Sequence, residues 1–254
     1  LSEIFKTDAI VLRSTRWSES SKIVHLFTLD RGYIKVIAKG ALQQKSPFRG
    51  TLETLNLVEI VVSHKESRGL QLITSASLQN SFQKIRADLE KTAIAFSIIE
   101  LTQQLLRTHE PLREFFEYTT LVLSWLNASQ SSDQRIYLWH FMLNLSRGLG
   151  FGWDFDQCLS CGPSPSTPFV YLDYENGGII CQNCLAGHQA NTLKIDSQQW
   201  QFLKMLSETD VENVEDSAHA MPGQKSMDYT TVLVKHLSFH TDTTIELKSL
   251  KWYG

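Results

Sequence analysis

The chain has 254 residues, 42% of them hydrophobic and 20% charged, with a net charge of −3. That balance predicts a folded, soluble protein of one to three domains, and no apolar run is long enough for a membrane span. The charge is uneven: residues 1–50 carry nine Lys/Arg against four Asp/Glu, so the other residues are net acidic, which fits either a basic module facing a polyanion or a solvated basic face.

Residues 1–80 read as β-structure. Short, β-branched apolar runs occur at Ala9–Leu12, Ile23–Phe27, Tyr33–Ile37, Val58–Val62 and Leu70–Ile73. Turn residues separate them, among them Ser18–Ser21, Asp30-Arg31-Gly32, Gly40, Ser46-Pro47 and Ser67–Gly69. Five short strands of this kind predict a small barrel of the OB type, an architecture that binds oligonucleotides. From about residue 81 the period changes to that of a helix. Asp88 to Arg107 carries apolar residues at 94, 98, 101 and 105, and Pro111 suits the first turn of a second helix that runs to about Leu126. Asp133 is placed to cap a third, with Ile136, Trp139, Leu143 and the stripe Leu138, Met142, Leu145, Leu149 buried, and with Gly148, Gly150 and Gly152 ending it. Helices are also predicted at Ser197–Leu206 and Met227–Ser238, and a mobile loop at Glu208–Gly223. The expected fold is therefore α+β: an OB barrel over 1–80, then a helical body over 81–254 with a zinc-ribbon-like loop inserted at 155–190.

All four cysteines fall in that loop, at 158, 161, 181 and 184. Two C-x-x-C pairs supply four thiolates from two tight knuckles, the tetrahedral set zinc prefers. Gly162 can take the positive φ such a knuckle needs, and Gly177-Gly178 marks a turn that returns the second pair to the first. Disulfides would need an oxidising compartment. No basic segment followed by an apolar core and a cleavage site opens the sequence, so a cytoplasmic location is expected. A redox pair would sit alone in a thioredoxin-like setting. His64-Lys65-Glu66 reads as the H-x-E of a zinc deaminase, but that chemistry requires Pro before a Cys pair, and Gln157 and Ile180 stand there. Cys158, Cys161, Cys181 and Cys184 are thus the expected ligands of a structural Zn²⁺. Four thiolates leave no position for a substrate. No Lys or Arg occurs from Gln157 to Asn191, which argues against nucleic-acid contact there. No P-loop, G-x-S-x-G or G-x-G-x-x-G motif is present, so no enzyme is expected.

Binding is expected on the basic barrel instead. Tyr33, Lys35, Ile37 and Lys39 share one strand face, Arg31 sits at the turn before them, and Lys45 and Arg49 flank the following loop. Cations that follow phosphates, with rings that stack on bases, are what a single strand requires. Trp17, Phe27, Tyr33 and Phe48 are the available rings, most of them expected in the core.

Taken in order, several stretches resemble the RecO family of bacterial recombination mediators. They are Asp8–Leu12, Trp17–Val24, Thr28–Gly32, Ala38-Lys39-Gly40-Ala41 with Lys45-Ser46, Cys161-Gly162, Gly177–Cys181 and the terminal Leu247-Lys248-Ser249-Leu250. The resemblance implies an OB domain that binds single- and double-stranded DNA, a helical body, structural zinc and no catalytic turnover. It further implies strand annealing at the nucleoid and recombinase loading onto strands coated by single-strand-binding protein. The implied partners are RecR, the acidic tail of that coating protein and, in some bacteria, RecF. The loop after Ala41 reads Leu42-Gln43-Gln44, less basic than in that family, so only Lys39, Lys45 and Arg49 carry over from it. A protein–protein adaptor with structural zinc and minor DNA contact is the alternative.

Overall fold

Alternating β-branched residues give each strand one face to bury, and five strands bury it against one another. The computed structural model describes residues 3–65, 67–105, 110–187, 191–222 and 228–252. In it β1 (Glu3–Arg16), β2 (Lys22–Thr28), β3 (Gly32–Ala38), β4 (Leu57–His64) and β5 (Gln71–Asn80) form a closed barrel in the order β1-β2-β3-β5-β4. β1 is long enough to pair with β4 through its first part and with β2 through its second, which closes the barrel. The β3–β5 seam is parallel and short, pairing Val36 with Gln71 and Ile37 with Leu72.

The interior obeys the period-two rule: Val24 and Leu26, Val36 and Ala38, and Val58, Ile60 and Val62 all point inward. The β3–β4 connection adds Ala41, Phe48 and Leu52 to the same core. β1 is buried on both faces from Ala9 to Leu12, because a helix covers its outside.

That helix is α2 (Leu89–Leu105), which follows the single turn α1 (Gln83–Arg86). Asp88 caps it, accepting the Lys91 N–H on Oδ1 at 3.0 Å. Ile94, Ile98 and Leu101 are buried as the spacing requires; Arg107 lies outside the described residues. α3 (Arg113–Ala128) starts later than Pro111 suggests. Leu112 C=O accepts the Phe116 N–H at 2.9 Å, so Pro111 precedes the cap rather than entering the first turn. Phe116 meets Phe27 of β2 edge-on, with ring centroids 5.4 Å apart. The K-S-L segment also returns here. Ser249 donates to the Glu100 carboxylate from its N–H at 3.3 Å and from its hydroxyl at 3.0 Å. These elements form one compact unit, Leu1–Asn127 with Leu247–Gly254, and Ala128–Glu246 form a second.

In the second unit α4 (Arg135–Gly148) is buried along most of its length. Gln134, not Asp133, is its N-cap and makes no side-chain cap bond; Asp133, one residue earlier, accepts the Arg135 N–H on Oδ1 at 3.0 Å. Leu149, expected in the buried stripe, is exposed. The helix has already ended, and Gly150 at φ 91° turns the chain away. Trp139 is fully buried, donating from Nε1 to Thr230 Oγ1 at 3.0 Å and meeting Tyr229 edge-on at 5.0 Å. α5 (Ser197–Glu208) opens on a capping box between Asp196 and Gln199. The stretch after it is not the mobile loop expected. Over 208–222 it holds α6 (Val214–Ser217) between two 3-10 turns, and Val211 and Val214 are buried. Glu215 accepts the Gln130 N–H at 2.7 Å. α7 (Thr230–Thr241) follows; Gly223 and Met227 lie outside the described residues.

The cysteine segment is built on a small sheet whose strand ends and connecting loops carry the cysteines. β6 (Asp154–Cys158), β7 (Phe169–Asp173), β8 (Gly178–Ile180) and β9 (Thr192–Asp196) pair in the order β6-β8-β7-β9. Among the described residues, no helix is long and apolar enough to cross a membrane.

Candidate metal centre and nucleic-acid interface

Cys158 ends β6 and Cys181 follows β8, so the parallel pairing of those strands brings the two knuckles together. Gly162 at φ 89° turns the first knuckle, and its N–H donates to Cys158 C=O at 2.9 Å. Cys184 N–H donates to Cys181 C=O at 3.1 Å in the second. All four sulfurs lie within 4.8 Å of one another, and Cys161 and Cys181 Sγ are 3.9 Å apart. Tetrahedral Zn–S bonds imply sulfurs about 3.8 Å apart, so the donor set and its size fit one metal ion. All four cysteines are free thiols.

The electrostatics suit a cation. Burial raises the Cys158 thiol, but backbone N–H groups from Cys181, Cys161 and Ser160 outweigh it and bring it down to about 6. The Cys181 N–H lies 3.3 Å from Cys158 Sγ. Cys161, exposed but hydrogen-bonded to Cys158 and close to the other sulfurs, is pushed up to about 12, and Cys184 is raised by its bond to Cys181. Crowded thiols that share protons in this way are ready to exchange them for a metal ion. His64 belongs to the other unit, and Glu66 of the H-x-E motif lies outside the described residues.

The β7–β8 turn holds the second knuckle in place. Asp173 Oδ1 accepts the N–H groups of Glu175 and Asn176 at 3.1 and 3.0 Å. Gly177 has φ 65°, and a Cβ there would lie 2.9 Å from His236 Cε1. His236 cannot swing aside, because its ring is buried between Tyr174 C=O at 2.7 Å and Phe151 C=O at 2.8 Å. Gly150 has φ 91° but open space around it. Gly177→Ala is therefore expected to lower stability by about 2–4 kcal/mol and Gly150→Ala by only about 1 kcal/mol. Urea unfolding of the two variants checks this ranking.

The basic residues fall into two groups. Lys39 follows β3, and the loop it opens carries Lys45 and Arg49; all three are exposed. Leu42 N–H donates to Ser20 C=O at 2.9 Å, which ties this loop to the β1–β2 turn and its Trp17. Trp17 is 63% exposed, whereas Phe27 and Phe48 are core residues. Trp17 is thus a ring available for stacking beside the basic loop. Tyr33 is half-buried, its hydroxyl 2.5 Å from His25 Nδ1.

Arg31 lies at the other end of β3, about 25 Å of extended chain from Lys39. It donates to Glu3 at 2.6 Å and lies over the Phe5 ring at 4.9 Å. With Lys35 it rims a cleft of about 360 Å³ whose lining includes Phe5 and Ile34. Lys35 itself is exposed on the outer face. The barrel therefore gathers Lys39, Lys45 and Arg49 at one end, sets Lys35 between, and separates Arg31. Lys6 and Lys22 are neutralised by Glu59 and Glu53, each at 2.8 Å. Among the described residues, Lys35, Lys39, Lys45 and Arg49 have no such carboxylate partner. Sequence reasoning passed over Arg13, whose place on this face depends on the β1 bulge between Val11 and Arg13.

Comparison with known proteins agrees with this architecture. The family model Recombination protein O N terminal matches residues 2–82, and Recombination protein O C terminal matches 86–242. A DNA repair protein RecO of Clostridium kluyveri is 33% identical over 211 residues, 83% of this chain and 79% of its own length. Its namesake in Clostridium novyi is 31% identical over the same shares. That of Anaeromyxobacter dehalogenans is 29% identical over 233 residues, 91% of this chain and 90% of its own. With the barrel and the body each matched, and with close to the full length aligned to such relatives, the chain belongs to the recombination protein O family, RecO.

Proposed function

We propose that this chain is a non-enzymatic DNA-binding mediator of recombination and repair. The observation that carries the reading is the group of exposed, carboxylate-free cations Lys39, Lys45 and Arg49 beside the exposed Trp17. Lys35 extends the track along the barrel. Arg31 joins it only where a ligand displaces Glu3. Phosphate contacts of this kind give affinity with little sequence preference on single- and double-stranded DNA. Moderate, salt-sensitive binding lets strands be released for pairing, which suits annealing. The names of the relatives support a role in DNA repair. Assisted recombinase loading, with RecR, the tail of single-strand-binding protein and in some bacteria RecF as partners, follows from the family resemblance. So do a cytoplasmic, nucleoid-associated location and the division into a DNA-binding domain over 1–80 and a helical domain over 81–254.

The ion at Cys158, Cys161, Cys181 and Cys184 is proposed to be Zn²⁺ in a structural role. When bound it supplies four strong bonds that hold the knuckles of 155–190 and no open coordination position.

Annealing of complementary oligonucleotides coated with single-strand-binding protein tests the function. The mediator reading expects the chain to accelerate pairing. Absence of both acceleration and oligonucleotide binding at low salt would favour the adaptor.

A further inference from the structure

The outer face of the barrel carries a basic row that the loop cations do not include. The register sets Arg13 of β1 opposite His25 of β2, and His25 opposite Lys35 of β3. Val24, Leu26 and Val36 point into the barrel, so His25 and Lys35, which alternate with them, point out. Arg13 and Lys35 are exposed and His25 is half-buried between them. The strand neighbours of His25 on its own face, Ile23 and Phe27, are apolar. The groups that face its ring are Lys35 and Tyr33 from β3 and Arg13 from β1. Among the described residues, the groups that shift the pKa of the His25 ring include no carboxylate.

We propose that Arg13, His25 and Lys35 form a phosphate-binding row across β1, β2 and β3, and that His25 takes up a proton when a DNA phosphodiester settles on it. This rests on the DNA-binding reading above and assigns that surface a second contact with its own chemistry. Without ligand, half-burial first, then Lys35 and Arg13, hold His25 below the ordinary histidine value, so the ring is neutral near pH 7. A phosphodiester, with one negative charge, weakens the field of the two cations at the ring and so favours the imidazolium.

The Tyr33 hydroxyl makes the change inexpensive. Its oxygen lies 2.5 Å from His25 Nδ1. It donates to Nδ1 when the ring is neutral and accepts from Nδ1–H when the ring is charged. The ring keeps its partner in both states and presents Nε2–H to the ligand in both. The proton comes from solvent.

The sign of the linkage follows. Above the raised value of the bound state, His25 is neutral with or without DNA. Below the lowered value of the free state, it is charged in both. Between the two, each bound strand takes up as much as one proton, so affinity rises as pH falls, by at most about tenfold per pH unit.

The test is anisotropy of a labelled oligothymidylate, titrated with the full chain from pH 8 to 5.5 at fixed salt. Neither thymine nor the phosphodiester titrates in that range. Wild-type affinity should rise several-fold as pH falls. His25→Gln, which retains a polar partner for Tyr33, should remove most of that rise. Lys35→Gln should move the rise to higher pH, since it removes a cation facing the ring. Calorimetry in buffers of different ionisation enthalpy should show proton uptake for wild type and less for His25→Gln. A His25→Gln profile that matches wild type, or binding without pH dependence, would overturn the row while leaving the mediator reading intact. Failure of the oligonucleotide to bind at any pH would overturn both.

Discussion

Replacing Cys181 with Ser is expected to abolish binding of the proposed metal ion and unfold the β6–β9 sheet while the barrel stays folded. Cys181 is buried, and its N–H and thiol both belong to the cluster. The sheet has a real but small core, in which Val170, Leu172, Ile179, Ile180 and Ile195 are buried. The knuckles themselves have little to bury: Ser160, Cys161, Gly162 and Ser164 are exposed. In the proposed structural role, metal–thiolate bonds would stand in for that missing core. In zinc-finger peptides such a site contributes about 10–16 kcal/mol of apparent binding energy. The loss here is expected to be smaller, because α5 packs on β6, β7 and β9. Elemental analysis should fall from about one zinc per chain to none. The thermal midpoint should drop by about 10 °C or more, at roughly 2–4 °C per kcal/mol for a chain of this size. Wild-type protein that holds no metal, or a variant with an unchanged midpoint, would contradict the structural role.

Replacing Lys39, Lys45 and Arg49 together with Ala is expected to weaken DNA binding without affecting folding. Each side chain is exposed, so the stability cost should stay within about 0.5 kcal/mol per site. Each lost phosphate contact lowers the log–log salt slope by about 0.7 on single strands, so three contacts remove roughly 2. The same relation implies a loss of roughly 100-fold in affinity near 0.1 M salt. Lys6→Ala is the control, since Glu59 already occupies that ammonium at 2.8 Å; its slope should match wild type. A triple variant with the wild-type slope would remove the basic loop from the interface.

Much of this was legible in the residues. The five strands were readable because alternation and turn residues agree, and the cysteine spacing pointed to the cluster of four sulfurs, with glycine turns at Gly162 and Gly177. The small sheet was not, because strands of three to five residues are too short to display a period. The segment 208–222 misled because its polar composition suggests a loop, whereas Val211 and Val214 suffice to pin it. The basic residues were visible individually, but grouping them requires register. Only pairing across strands sets Arg13 and Lys35 on either side of His25, and only the turn geometry sends Arg31 to Glu3. Exposure was likewise unreadable for the rings: Trp17 and Phe48 look alike in sequence, yet one faces solvent and the other fills the barrel.

The most direct test of the division of labour is ultraviolet crosslinking of an oligothymidylate to the full chain, followed by mass mapping of the modified peptides. The account expects adducts within residues 13–49, with Trp17 prominent and suppressed by high salt. Adducts concentrated in residues 154–196, with the barrel unmodified, would contradict it.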